Sequence, residues 1–174
     1  MKNTRILAFT TIFILCISVI IAVIIYKSVQ SNTNVDSVHF HAAFHLYENN
    51  SLKDFGEFKY MHISKCTEDQ EHVDEDPQLE KAHLHDNIGD VVHVHRNNAT
   101  WGDLFFNLKY DFSENIIAYL NDIPVENILT EKIQPYDRVL IYYGELTEIE
   151  QKLAQVPDFG AIQKVEARSE NCGN

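Results

Sequence analysis

Ala82-His83-Leu84-His85-Asp86-Asn87-Ile88-Gly89-Asp90-Val91-Val92-His93-Val94-His95 decides how this chain is read. Side chains alternate faces along a β-strand, so His83 pairs with His85 on one side, and His93 with His95. The loop between them fits a three-residue hairpin connection, a type I turn followed by a left-handed glycine at Gly89. With Asp86 opposite Asp90, His83 faces His93 and all four imidazoles share a face, leaving Ala82, Leu84, Val92 and Val94 on the other. A loop one residue shorter or longer would send the two pairs to opposite faces. The glycine predicts the convergent register.

Upstream, residues 38–47 alternate in the same way. Val38, Phe40, Ala42, Phe44 and Leu46 make an apolar face; His39, His41, Ala43, His45 and Tyr47 make the other. Residues 48–51 read as a turn, and residues 52–60 as a returning strand broken at Gly56. Residues 67–80 carry seven carboxylates and Pro77, the composition of a solvated loop. Downstream, Thr100 with Asp103 three residues later signals a helix start, expected to run to about Lys109. Residues 116–120 and 123–125 read as short strands about Asn121-Asp122. Residues 138–143 are apolar on both sides and read as a central strand. Residues 145–155 have a helical period ending before Pro157, and the tail beyond offers only Cys172.

Hairpin, helix, strand-turn-strand and a final buried strand is the order of a β-grasp. Residues 91–143 resemble the ubiquitin-like sulfur carriers of thiamine and molybdopterin synthesis, through Thr100-x-x-Asp103-Leu104, Tyr119-Leu120-Asn121 and Asp137-Arg138-Val139. That resemblance covers under a third of the chain and speaks to fold alone. The carriers end in an activated diglycine, whereas this chain ends Cys172-Gly173-Asn174, so sulfur or protein conjugation is not expected. In such a sheet the first hairpin strand usually neighbours the last strand, which would set residues 38–47 at the outer edge, beside His93 and His95. The expected fold class is α+β: an N-terminal transmembrane helix, then a β-grasp-like mixed sheet with one packed helix and an added N-terminal β-hairpin. The expected divisions are residues 1–27 (cytoplasmic tip and signal-anchor), 28–37 (linker), 38–145 (histidine-rich domain) and 146–174 (C-terminal helix and tail).

Lys2 and Arg5 precede an apolar run over residues 6–26. As a helix it would be about 31 Å long, enough to cross a bilayer core. No small-x-small cleavage site follows, so an uncleaved signal-anchor is expected; the alternative is a signal peptide cut near residues 28–31. Positive charge ahead of the span places the N-terminus in the cytoplasm and the rest outside. All 26 acidic residues follow the span, and setting aside the two cytoplasmic cations takes the net charge from −12 to −14. That charge repels nucleic acid and attracts cations, so nucleic acid is not an expected partner. The histidine runs taken together, ahead of Thr100-x-Gly102-Asp103-Leu104-Phe105-Phe106, resemble a group of membrane-anchored prokaryotic proteins of candidate-phyla bacteria and some archaea; the resemblance implies no mechanism.

The expected cofactor is a transition-metal ion. All-imidazole sites suit Zn(II), Cu(II) or Ni(II), not the oxygen-seeking Ca(II) and Mg(II), and Cu(II) leads on raw affinity. The candidate ligands are His83, His85, His93 and His95, with His39, His41 and His45 completing that site or forming a second. Asp86 could hold a ligand's other ring nitrogen. His62 follows a strand end with no partner at ligand spacing, and His72 lies among carboxylates and reads as part of the solvated loop. Cys66 and Cys172, both outside the membrane, are the candidate disulfide pair; as an alternative they are soft metal ligands. No nucleophile elbow, phosphate loop, His-Glu-x-x-His or Cys-x-x-Cys occurs. Three functions follow, in order: metal capture or buffering, a three-histidine metalloenzyme, and a cell-surface interaction module switched by histidine protonation.

Overall fold

The computed structural model describes residues 37–62, 76–112 and 115–168. The expected anchor, the linker up to residue 36, Cys66, Cys172 and His72 lie outside those residues, and Ser37, the last residue assigned to the linker, opens the first strand instead. No helix among the described residues is long and apolar enough to cross a membrane.

The fold is α+β, built on one mixed seven-stranded sheet. Its strands are β1 (Ser37–Glu48), β2 (Ser51–Leu52), β3 (Ala82–His83), β4 (Val91–Arg96), β5 (Ile117–Leu120), β6 (Ile123–Val125) and β7 (Arg138–Tyr143). The order across the sheet is β3-β4-β1-β7-β5-β6, with β2 paired only to the end of β1. β1 runs antiparallel to β4 and parallel to β7. This corrects the expected placement of residues 38–47 at the edge. A twelve-residue strand buried continuously from His41 to Tyr47 needs partners on both sides, whereas the two-residue β3 can satisfy few backbone groups and takes the edge.

The returning strand expected over residues 52–60 is also corrected. Asn49 and Asn50 adopt left-handed φ of 46° and 67°, closing a tight turn. Pairing then stops after Tyr47–Leu52. The chain leaves the sheet because Phe55 turns inward and meets Phe44 and Phe105, at ring separations of 5.6 and 6.3 Å.

The alternation read from the sequence sets the main core. Ala42, Phe44 and Leu46 of β1, with Val92 and Val94 of β4 and Val139 and Ile141 of β7, are buried on one face. Helix α1 (Trp101–Asn107) covers them with Trp101, Leu104 and Phe105. It starts where the sequence predicts, through a reciprocal capping box. The Asp103 backbone N–H donates to Thr100 Oγ1 at 3.1 Å, and the Thr100 backbone N–H donates to Asp103 Oδ2 at 2.9 Å. Thr100→Ala should therefore cost about 1 kcal/mol, read as a lower denaturation midpoint with an unchanged m-value.

The opposite face is not the open polar surface that the alternation suggests. Helix α2 (Ile149–Gln155) and helix α3 (Phe159–Glu166) pack there, with Val156, Ile162 and Val165 against Ala43, Tyr47, Val91, Leu140 and Tyr142. Arg138 fastens this layer, its guanidinium donating to the carbonyls of Leu153 (2.8 Å), Val156 (3.0 Å) and Pro157 (3.2 Å). The buried Lys152 ammonium donates to Thr147 O at 2.6 Å and to Asn50 Oδ1, and lies over the Tyr47 ring. Helix α3 is absent from the sequence reading. Its cues are Asp158, which caps by accepting from the Ala161 N–H at 2.8 Å, and the three-residue spacing of Ile162 and Val165.

Candidate metal centre

Three adjacent strands carry the histidines in one row across the sheet. His41 on β1 stands opposite His93 on β4, and His93 stands opposite His83 on β3. Directly opposed residues have Cβ atoms about 4.5–5.5 Å apart, so the register alone brings three imidazoles together. His83 opposite His93 is the pairing read from the sequence.

The turn that delivers this pairing differs from the expected one. The left-handed residues are Asp86 and Asn87, each with φ of 57°, and Gly89 is not left-handed. Gly89 is required for a different reason. A Cβ there would lie 2.3 Å from the Gly56 backbone N and 2.6 Å from the Phe55 carbonyl carbon.

His93 is the hub. Five other imidazoles surround its ring: His95 at 4.2 Å between centroids, His39 and His41 at 4.5 Å, His85 at 4.7 Å and His83 at 5.2 Å. A bulge in β1 between Ser37 and Phe40 adds one residue relative to β4. Bulges re-aim side chains; here His39 stands stacked on His95, 5.6 Å away.

Two triads can each bring one nitrogen per residue to within 4.8 Å of the others: His39, His41 and His93, and His83, His93 and His95. Tetrahedral coordination at 2.0–2.1 Å places nitrogens about 3.3 Å apart, so each triad needs only a modest side-chain contraction. Every donor is an imidazole nitrogen, the ligand type of Zn, Cu and Ni sites.

Partners at the rim fix tautomers. His83 Nδ1 lies 3.0 Å from the Leu79 carbonyl, which can only accept, so Nδ1 carries the proton and Nε2 keeps its lone pair. His85 Nδ1 lies 3.0 Å from Asp86 Oδ2, the contact anticipated for Asp86, and its Nε2 is likewise left as the donor atom.

Burial keeps the inner imidazoles neutral. His41 and His93 are 2% and 1% exposed. Loss of hydration, reinforced by His39 and His85, lowers the His41 pKa to about 4. Glu166, held by the Tyr136 hydroxyl at 2.7 Å, pulls it weakly the other way. His83 is lowered to about 3, again mainly by burial, against the opposing pull of the Leu79 carbonyl. His93 is pushed down further still, by burial and by its ring of histidines. Neutral imidazole is the ligand form, so near pH 7 each inner position can bind one ion through its free lone pair without losing a proton.

Three histidines depart from the sequence reading. His85, expected among the primary ligands, lies 4.7 Å from His93 between ring centroids but belongs to neither triad. His45 shares the face but sits farther along β1, beyond Ala43; its Nε2 lies 3.8 Å from Asp90 Oδ2, and it belongs to neither triad. His62, set aside for want of a partner, is brought beside His83 with rings 4.7 Å apart. The link is a bridge between Met61 and Leu84, in which the His62 N–H donates to Leu84 O at 2.7 Å. No local spacing encodes that contact. No family model matches the chain, and no curated protein or solved structure compared with it matches either.

Proposed function

We propose that this is a membrane-tethered, extracytoplasmic protein that captures or buffers a transition-metal ion, copper or zinc, on its clustered histidines. One observation carries the reading: two sets of three imidazoles, each with nitrogens within 4.8 Å, meet at the buried His93. A solvated polar face would spread its imidazoles into water; here they desolvate one another, a cost that coordination offsets. The basic-then-apolar N-terminus supports the tether, and the acidic surface would draw cations toward the site. The sheet order supports a β-grasp reading in which β1 and β4 form the first hairpin, β7 lies parallel to β1, and β3 is the added strand.

The three-histidine enzyme is the second reading. Each triad supplies three ligands where tetrahedral zinc takes four, so water would complete the shell. A surface switch operating near pH 6 fits less well, because burial holds His41 near 4 and His83 near 3.

The test is metal retention. Full-length protein in mild detergent, stripped with chelator and reloaded with Cu(II) or Zn(II), should keep at least one equivalent through exhaustive dialysis. Its melting temperature should rise on loading; ligand at about a thousand times Kd adds roughly 4 kcal/mol. His83→Ala and His93→Ala should each lower retention. Wild-type protein that emerges metal-free, with an unshifted melt, would remove both the carrier and the enzyme readings.

A further inference from the structure

The two triads are neither separate nor equivalent by symmetry: they have one member in common. His41 on β1 and His83 on β3 stand on opposite sides of His93, each in direct register with it. An ion held by His39, His41 and His93 therefore lies toward β1, and one held by His83, His93 and His95 lies toward β3. Neighbouring strands are about 4.8 Å apart, so positions between β1 and β4 and between β4 and β3 are offset by about that spacing. An imidazole offers nitrogen lone pairs on two edges of its ring. Two ions bound through both nitrogens would be about 6 Å apart, given metal–nitrogen bonds of 2.0–2.1 Å. The spacing of the strands is close to the reach of one bridging ring.

Resting on the metal-binding reading above, we propose that the cluster is a two-ion site in which His93 bridges a pair of divalent transition-metal ions, His39 and His41 completing one side and His83 and His95 the other. Charge and proton balance follow. A neutral imidazole has one lone pair and one N–H; to hold a second ion, His93 gives up that proton to solvent and becomes an imidazolate. The resulting negative charge lies between the two cations and reduces their repulsion. The outer members, exposed His39 and half-buried His95, give each side its own approach from solvent. Only His93 serves both.

Titration of chelator-stripped, full-length protein with Cu(II), read by bound copper and by electron paramagnetic resonance at liquid-helium temperature, tests this. Wild-type protein should bind two ions per chain, with a signal well below that of two isolated Cu(II) centres, because an imidazolate couples the spins antiparallel. His39→Asn and His95→Asn alter the outer positions, where folding is least at risk. Each should bind one ion and recover the full signal of one uncoupled Cu(II). His93→Gln should bind neither ion tightly. One ion in the wild type and still one in each outer variant would mean a single ion with alternative ligand sets, overturning the bridge while leaving metal binding intact. Two ions with full, uncoupled intensity would also overturn the bridge. No bound copper would overturn both readings.

Discussion

Metal-free protein should lose stability progressively as pH falls from about 6.5 toward 4. His41 and His83 titrate near 4 and 3 in the folded domain, against an ordinary histidine value of about 6.5 in the unfolded chain. Between those limits the unfolded chain binds protons that the folded chain refuses. Stability is therefore fully present above about 6.5 and is lost as acid is added, until the folded pKa values are passed. Each group contributes at most about 1.4 kcal/mol per pH unit. Two such groups over two units give a loss on the order of 5 kcal/mol, comparable with the whole stability of a small domain. His93, lowered further, adds to the same slope. Urea melts in chelator at pH 7, 6 and 5 would measure it above the carboxylate range, where the acidic surface does not contribute. A flat midpoint across that interval would show that the cluster is hydrated. Added metal should hold the midpoint up until protons compete for the ring nitrogens, so the loaded and stripped curves should converge in acid.

Gly89→Ala should be among the most damaging single substitutions in the domain. The new Cβ would meet backbone atoms, the Gly56 N at 2.3 Å and the Phe55 carbonyl carbon at 2.6 Å, neither of which can rotate aside. Phe55 is itself fixed, 1% exposed against Phe44 and Phe105. Relief requires the loop between β3 and β4 to lift away from the chain at Phe55–Gly56, at a cost of about 3 kcal/mol or more. That loop joins the strands that set His83 opposite His93, so metal retention should fall together with the denaturation midpoint. An unchanged midpoint would show that the loop is not seated there.

The residues that place the cluster were legible, but those that bury it were not. Two-residue spacing puts His39 with His41, and His93 with His95, on one side of a strand, and the apolar residues between them face α1 as the pattern requires. Turn chemistry gave the right pairing of His83 with His93 for the wrong reason: Asp86 and Asn87 make the left-handed bends, and Gly89 is selected by a neighbour far away in sequence. Alternation also implied that the histidine side meets water. It could not reveal that α2 and α3 return to cover part of that side, or that six imidazoles would crowd one another out of solvent. His62 reaches His83 through one bridge between segments with no shared periodicity, and the central position of β1 depends on a partner near the other end of the domain. Both are tertiary choices, outside the reach of local pattern.

The parallel ladder between β1 and β7 also governs when the domain can close. Ala43 pairs with Arg138 and Glu48 with Tyr143, so the earliest strand waits for the latest one. Such distant pairings are reached late, after most of the entropy of loop closure has been spent, and they slow folding relative to folds with local contacts. During synthesis β1 would have β4 on one flank and a bare row of backbone donors and acceptors on the other, a surface prone to pairing with neighbouring chains. Completion of the last strand is thus the step that separates a productive chain from an aggregating one.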